Sequence, residues 1–490
     1  MKKTLMTCLA IATLFAIAGS ASAITCTIDQ HPAATLLVPY FEATFAPDGN
    51  PLGSGPDARD TLVTICNASS APMIAHVNVF NERTELVLDF NIALTGFDCQ
   101  SMSMARVLSG FLPATPVTTA HAASANDACQ RNPSAGVYSP PTVSGEYLRI
   151  RPVDTATPLD NTLATTLYPQ PSWPAGSSFA QGVLDSLDET DDSIGCGGVD
   201  GTITNPIRGY MTIDHANYCN LSNPSDPLYY SRDALGMENN LFGEVIFTSG
   251  SGIPTMGGST VNIEADPSLA GDVTSDPRVR TFYARYVGVD TACSPGNCGL
   301  FSTNPWNEGI GDQREPLGLK YAARWFSTTG ITSNFNVWRA SSGSLTDLLA
   351  GGDCDTIEPV VTLSFFDEDE NTVTSGVCPS PCTQPTFNFP LETQRRSISG
   401  FSGSIPSFAV GWVSMNFYNP GAPNGGVLDQ AWVEYDFQGP GAFLSASTPA
   451  TQLDPSTCTP LGVCPAPGQG VCTAVSPTQP AIPSVVGTGP

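Results

Sequence analysis

The residues best able to do chemistry are few. Histidine occurs four times, as His31, His76, His121 and His215, and no two stand at the His-x-x-x-His spacing that puts two metal ligands on one helix face. His215 follows Asp214 directly, which sets a base beside a carboxylate. On a strand, adjacent side chains project from opposite faces, so these two are not expected to work as a catalytic pair. Gly400-Phe401-Ser402-Gly403 lacks the Gly-x-Ser-x-Gly spacing of a nucleophile elbow and the helix that follows one. Ser402 is read as a turn residue, and no catalytic or cofactor-binding residue is assigned.

Oxygen ligands are more abundant. Asp367, Asp369 and Asn371 alternate, offering a hard cation oxygens from every second position. A calcium loop of this kind continues with glycine and closes with a bidentate glutamate, but Thr372 and Cys378 hold those places. The segment is expected to be a polar hairpin tip. Calcium is the one cofactor left open, and no metal ligand is assigned. Asp188, Glu189, Asp191 and Asp192 form a second acidic run, read as solvated loop. A carboxylate pair for glycoside hydrolysis leaves no local signature. A sugar platform would draw on Trp306, Trp338, Trp412 or Trp432, although core packing is the commoner fate of strand tryptophans.

The chain opens Met-Lys-Lys, runs through uncharged apolar residues 5–18, and reaches Ser20-Ala21-Ser22-Ala23. That is the layout of a cleavable secretory signal, with the cut expected before Ile24. The apolar run falls short of the ~20 residues a spanning helix needs, and no second run of that length follows. Cleavage would remove Cys8, leaving an even number of the 15 cysteines, and two of three lysines, leaving Lys320. An even count in an oxidising compartment points to disulfides. Cys293 and Cys298 flank a Pro-Gly turn, and Cys378 and Cys382 bracket a short loop, so two local bridges are expected. A Cys66–Cys99 bridge would join neighbouring strands.

The formal net charge is −26, which would repel nucleic acid and anionic membrane. Other surface proteins or polysaccharide remain as partners. A hydrophobic fraction of 41% supplies real cores.

The elements that must position these residues are strands. Residues 62–67, 73–80 and 85–94 alternate: Leu86, Leu88, Phe90, Ile92 and Leu94 share one face, with Asp89 and Asn91 opposite. Period two with one wet face marks antiparallel sheet. The pattern returns at 146–151, 209–215, 242–248, 281–289, 319–326, 335–339, 360–366, 386–389, 408–417 and 430–437. Short helices are expected at 179–187 and 345–350. Segments 110–145 and 290–316 are rich in small, Pro or Gly residues, and no fixed-period repeat is visible.

Residues 37–42 (Leu-Val-Pro-Tyr-Phe-Glu), 61–67, 89–96, 209–219 and 365–371 resemble corresponding stretches of an uncharacterised group of large secreted β-rich proteins from environmental bacteria. The group has no established activity. The resemblance implies export and a β-rich architecture, and it transfers no site.

The expected fold is therefore mainly all-β: two antiparallel β-sandwich domains with long loops, few short helices and disulfide stabilisation. The expected division is a signal peptide (1–23), an N-terminal sandwich (24–290), a linker (291–314), a C-terminal sandwich (315–445) and a Pro/Thr/Cys-rich tail (446–490). The leading functional expectation is an exported, non-enzymatic structural or interaction protein of the cell surface or periplasm. Carbohydrate binding or hydrolysis, and calcium-dependent adhesion, are the alternatives.

Overall fold

A computed structural model describes residues 31–109, 205–216, 224, 229, 235–265, 281–283, 314–340, 360–368, 386–398, 410–417, 430–439 and 448–452, except 47–49, 54, 56, 83, 85, 251–252, 329 and 389–390. Their strands are, in chain order, β1 Thr35–Ala43, β2 Arg59–Asn67, β3 Met73–Asn81, β4 Leu86–Leu94, β5 Cys99–Ser103, β6 Ile207–Ala216, β7 Leu241–Ser249, β8 Ile253–Ser259 and β9 Val261–Ile263. There follow β10 Lys320–Thr328, β11 Ile331–Ala340, β12 Val360–Phe366, β13 Thr386–Asn388, β14 Thr393–Ser397, β15 Val410–Asn416, β16 Gln430–Gln438, β17 Thr448–Pro449 and β18 Thr451–Gln452. One short helix, α1 Met104–Leu108, is capped by Ser103, whose hydroxyl accepts from the Arg106 amide.

The strands build three antiparallel sheets: β5-β2-β7-β8, β4-β3-β6-β1-β9, and a nine-stranded path running β13-β12-β15-β10-β11-β16-β17 with β14 and β18 attached. Alternation explains how the first two meet. Val38, Val77, Phe90 and Ile213 leave one face of the five-stranded sheet and join Val63, Ile65, Met102 and Phe247 of the four-stranded sheet in a single buried cluster. Burying each such side chain contributes about 1.5–3 kcal/mol.

The nine-stranded path folds back on itself. Its β10–β11 hairpin is paired only through Ser327↔Thr332 and Thr328↔Ile331, so the two strands part beyond the turn. Tyr321 of β10 then donates its hydroxyl to the Ala431 carbonyl of β16 at 2.5 Å, and Trp325 packs edge-on against Phe365 at 6.1 Å.

The polar faces of β3, β4 and β6 were expected to be wet. They are not: His76, Asn78, Asn91 and Asp214 are fully buried. The reason is a further layer. Leu37, Phe80 and Tyr210 of the five-stranded sheet share a core with Trp338, Phe335 and Val433 of the nine-stranded one. Tyr210 meets Trp338 edge-on at 5.9 Å, and Phe282 stacks on Trp338 at 5.5 Å. Backbone groups dock as well: Thr393 donates its hydroxyl to the Pro39 carbonyl at 2.5 Å, and the Glu392 amide reaches the Glu82 carbonyl at 2.8 Å. The five-stranded sheet is thus covered on both faces.

Candidate functional site

One transverse row across the five-stranded sheet concentrates its polar chemistry. The register sets Asn91 of β4 opposite His76 of β3, His76 opposite Asp214 of β6, and Asp214 opposite Thr35 of β1. All four point to the side away from the first core. The His76 Nδ1 lies 2.8 Å from the Asn91 side-chain oxygen. Asp214 accepts hydroxyl hydrogen bonds from Thr35, Tyr229 and Tyr283, the last at 2.6 Å. Tyr229 also accepts from the Asn78 amide at 2.9 Å.

Arg314 closes the arrangement. Its Nε donates to the Thr35 hydroxyl at 2.6 Å and lies 3.4 Å from Asp214, with both side chains wholly buried. Its Nη2 donates to the Gly236 carbonyl at 3.0 Å, and the Gly236 amide donates to the His215 carbonyl at 2.7 Å. A buried carboxylate is tolerable only when paired and fully hydrogen-bonded, and this one is. Burial in turn pushes the Tyr283 hydroxyl well above its usual range, with the Asp214 charge adding to it. The Asp214 carboxylate is thus the fully partnered centre of a buried polar knot.

Asp214 and His215 do face opposite ways. His215 turns to the rim of the first core, where its Nδ1 lies 3.0 Å from Glu238. That hydrogen bond holds the Glu238 carboxyl down at about 2.

A second polar patch lies where β1 and β6 meet β11 and β14. β1 carries an irregularity between Val38 and Phe41. Within it, the Tyr40 hydroxyl donates to Glu42 at 2.9 Å, and Arg59 comes within 3.9 Å of the same carboxylate. Burial raises Tyr40 far above its normal value, and Glu42 reinforces the shift. Arg208 bonds Tyr40; burial lowers its pKa, but Tyr40, Glu82 and Glu42 outweigh that and raise it overall. Facing them, Arg395 of β14 donates to Asp436 at 2.8 Å and to the Asn336 oxygen at 3.1 Å. Asn334 also donates to Asp436, at 3.1 Å. Burial raises the Asp436 carboxyl despite Arg395 beside it.

The residues singled out from the sequence fall unevenly. Trp338 and Trp432 are core residues, while Trp412 stacks on Phe366 at 3.9 Å. Cys293, Cys298, Cys378, Cys382, Trp306, Ser402, Asp369 and Asn371 lie outside the described residues, as do 188–192, both expected helices and strand 146–151. Glu368, beside Asp367, is ion-paired with Arg324 at 2.6 Å. The Cys66–Cys99 bridge is present, joining directly opposed residues of β2 and β5. Among the described residues no group of three or more His, Cys, Asp or Glu is placed to hold a metal.

Arg314, Tyr229, Tyr283 and Thr35 escaped sequence reasoning. Arg314 sits in a segment read as linker, and nothing local marks it. Only the composition offered a signal: a basic residue is scarce in a chain with 19 Lys and Arg against 45 Asp and Glu.

Together these features define an all-antiparallel β protein of stacked sheets with a polar knot between layers. No protein-family model, no curated protein and no solved structure matches this chain.

Proposed function

We propose that this is an exported, non-enzymatic protein of the cell surface or periplasm with a structural or interaction role. The observation that carries the reading is the use made of Asp214. The carboxylate best placed in the sequence to serve as a catalytic partner is instead bonded by hydroxyls from three separate segments and lies beside a buried arginine. Its polar capacity is spent on holding sheet layers in register, which is what a scaffold requires.

Export is supported by the tripartite N-terminal sequence and by a disulfide between Cys66 and Cys99. Among the described residues no helix is long and apolar enough to cross a membrane.

Fractionation of the native host tests the reading. The mature chain, starting at Ile24, is expected in the sedimenting envelope or surface-layer fraction. Recovery of the protein as a freely diffusing pool with hydrolytic activity on envelope polysaccharide would overturn it.

A further inference from the structure

The Cys66–Cys99 bridge stands at the margin of its sheet. Among the described strands β5 ends the four-stranded sheet, and Cys99 sits on it directly opposite Cys66 of β2, Cα to Cα 4.1 Å. On its other side Cys66 opposes Phe242 of β7. Directly opposed residues carry their side chains on one face of a sheet, so one row runs Cys99, Cys66, Phe242. Val63 and Ile65 point into the first core, which sets this row on the outward face. Cys66 is nonetheless buried, while Cys99 and Ser101 are exposed.

The row makes the two sulfurs unequal. A thiolate displaces one sulfur of a disulfide by entering in line, opposite the sulfur that leaves, and access decides which one is attacked. The line towards Cys66 passes over β7 and meets the Phe242 side chain. The line towards Cys99 crosses no described strand, because β5 is the last of its sheet. Cys99 is the sulfur open to exchange, and Cys66 is the leaving group.

The flanks of the bridge are apolar. Among the described residues the large hydrophobic side chains that stand exposed are Phe97, at 72%, and Phe242, at 38%. One precedes Cys99 by two positions and the other lies beside Cys66. Phe97 is held at φ 56°, a left-handed conformation that a bulky residue keeps only where its surroundings impose it. Its amide donates to the Ser69 carbonyl at 2.9 Å. The Thr95 amide and hydroxyl donate to the Asp98 carboxylate at 3.2 and 3.1 Å. A β-carbon on Gly96 would lie 2.2 Å from the Ser70 carbonyl oxygen. The turn is thus fixed while its aromatic ring faces water, which is the form of an anchor for a partner's apolar surface.

We propose that Cys66–Cys99 is a site of reversible thiol–disulfide exchange, opened by a dithiol protein that docks on Phe97 and Phe242 and attacks the Cys99 sulfur. The partner's thiolate bonds to Cys99, the Cys66–Cys99 bond breaks, and Cys66 leaves with the electron pair and takes up a proton. The partner's second thiolate then displaces Cys99 from the mixed disulfide. The partner is oxidised to its disulfide, and its two thiol protons are balanced by those gained at Cys66 and Cys99. The site does not depend on the surface role proposed above.

The test uses the intact mature protein, with pre-reduced thioredoxin as the protein dithiol and dithiothreitol as the small one. Thioredoxin lacking its second cysteine should be trapped as a mixed disulfide, which peptide mass mapping places on Cys99. With native thioredoxin, alkylation should find Cys66 and Cys99 reduced without denaturant. Phe97→Ser and Phe242→Ser should slow reduction by thioredoxin several-fold and leave reduction by dithiothreitol unchanged; Phe97→Ser decides alone if the other variant does not fold. A trap on Cys66, no trap at either cysteine, or reduction of this pair only after denaturation overturns the proposal. Unchanged thioredoxin rates in the variants, or equal slowing with both reductants, overturns the docking role of the two phenylalanines.

Discussion

Arg314 and Asp214 lie side by side with neither side chain exposed, Nε to Oδ1 3.4 Å, across a hundred positions of sequence. Thr35 stands between them, donating to the carboxylate and accepting from the guanidinium. The three residues come from β6, β1 and the strand-free approach to β10, so the contact ties the five-stranded sheet to the chain that enters the nine-stranded one.

Removing one member of a buried pair costs more than the pair is worth, because the other charge stays behind. Asp214→Ala should therefore destabilise by about 3–5 kcal/mol, and Asp214→Asn, which keeps the shape and one acceptor, by clearly less. Chemical denaturation of both variants reads this. Equal, small losses would mean that water reaches Arg314 and that the knot is not sealed.

The Cys66–Cys99 bridge spans 33 residues, a loop that includes β3 and β4. Closing a loop of that size stabilises by roughly 2–4 kcal/mol, mainly by restricting the unfolded chain. The double variant Cys66→Ser/Cys99→Ser should lose that amount in urea while keeping its circular dichroism. An unchanged midpoint would show that the paired register of β2 and β5 is sufficient without the covalent tie.

The sequence disclosed the strands and withheld the layers. Residues 73–80 and 85–94 were legible because Val77, Val79, Leu88 and Phe90 alternate with polar residues, and β3 and β4 follow that alternation. The same pattern misled on exposure. His76 and Asn91 look like a wet face, since period two cannot distinguish water from a second polar-lined layer. Asp214 and His215 were correctly set on opposite faces by strand geometry alone. β1 carries no such signal, because nearly every one of its residues is buried and a strand covered on both faces loses its alternation. The partners of Asp214 depend on how the sheets stack, which no local spacing encodes. The Arg395 patch is hidden for the same reason: Tyr40, Arg208 and Arg395 converge only once β1 and β6 lie against β14.

Gly209 shows how close that stacking is. A β-carbon there would sit 2.2 Å from the Phe80 carbonyl oxygen and 2.7 Å from the Phe41 ring. The first obstacle is backbone on the neighbouring strand, so the clash cannot be relieved by a rotamer change. Gly209→Ala should cost about 1–3 kcal/mol through overpacking, against near neutrality for Gly53→Ala, where nothing stands within 4 Å. Matched losses in thermal melts would show that β6 can shift away from β3.

Glu238 makes a prediction in pH. Its carboxyl is held at about 2 in the folded chain by the His215 hydrogen bond, against an ordinary 4.5. A carboxyl with a lowered folded pKa prefers the folded state when ionised. Its contribution is complete above pH 4.5 and drains away as pH falls towards 2. Glu238→Gln never has that contribution, so its melting temperature should drop less than the wild type's across that interval. The two should differ most above pH 4.5, where the ionised Glu238 carboxylate accepts from the His215 Nδ1–H. The effect will be small, because the Glu238 side chain is 62% exposed and water screens it. Parallel melting curves from pH 4.5 to 2 would show that His215 and Glu238 part in solution, and that the rim of the first core is held by Gly236 and the backbone bonds of Ala33 and Leu241 instead.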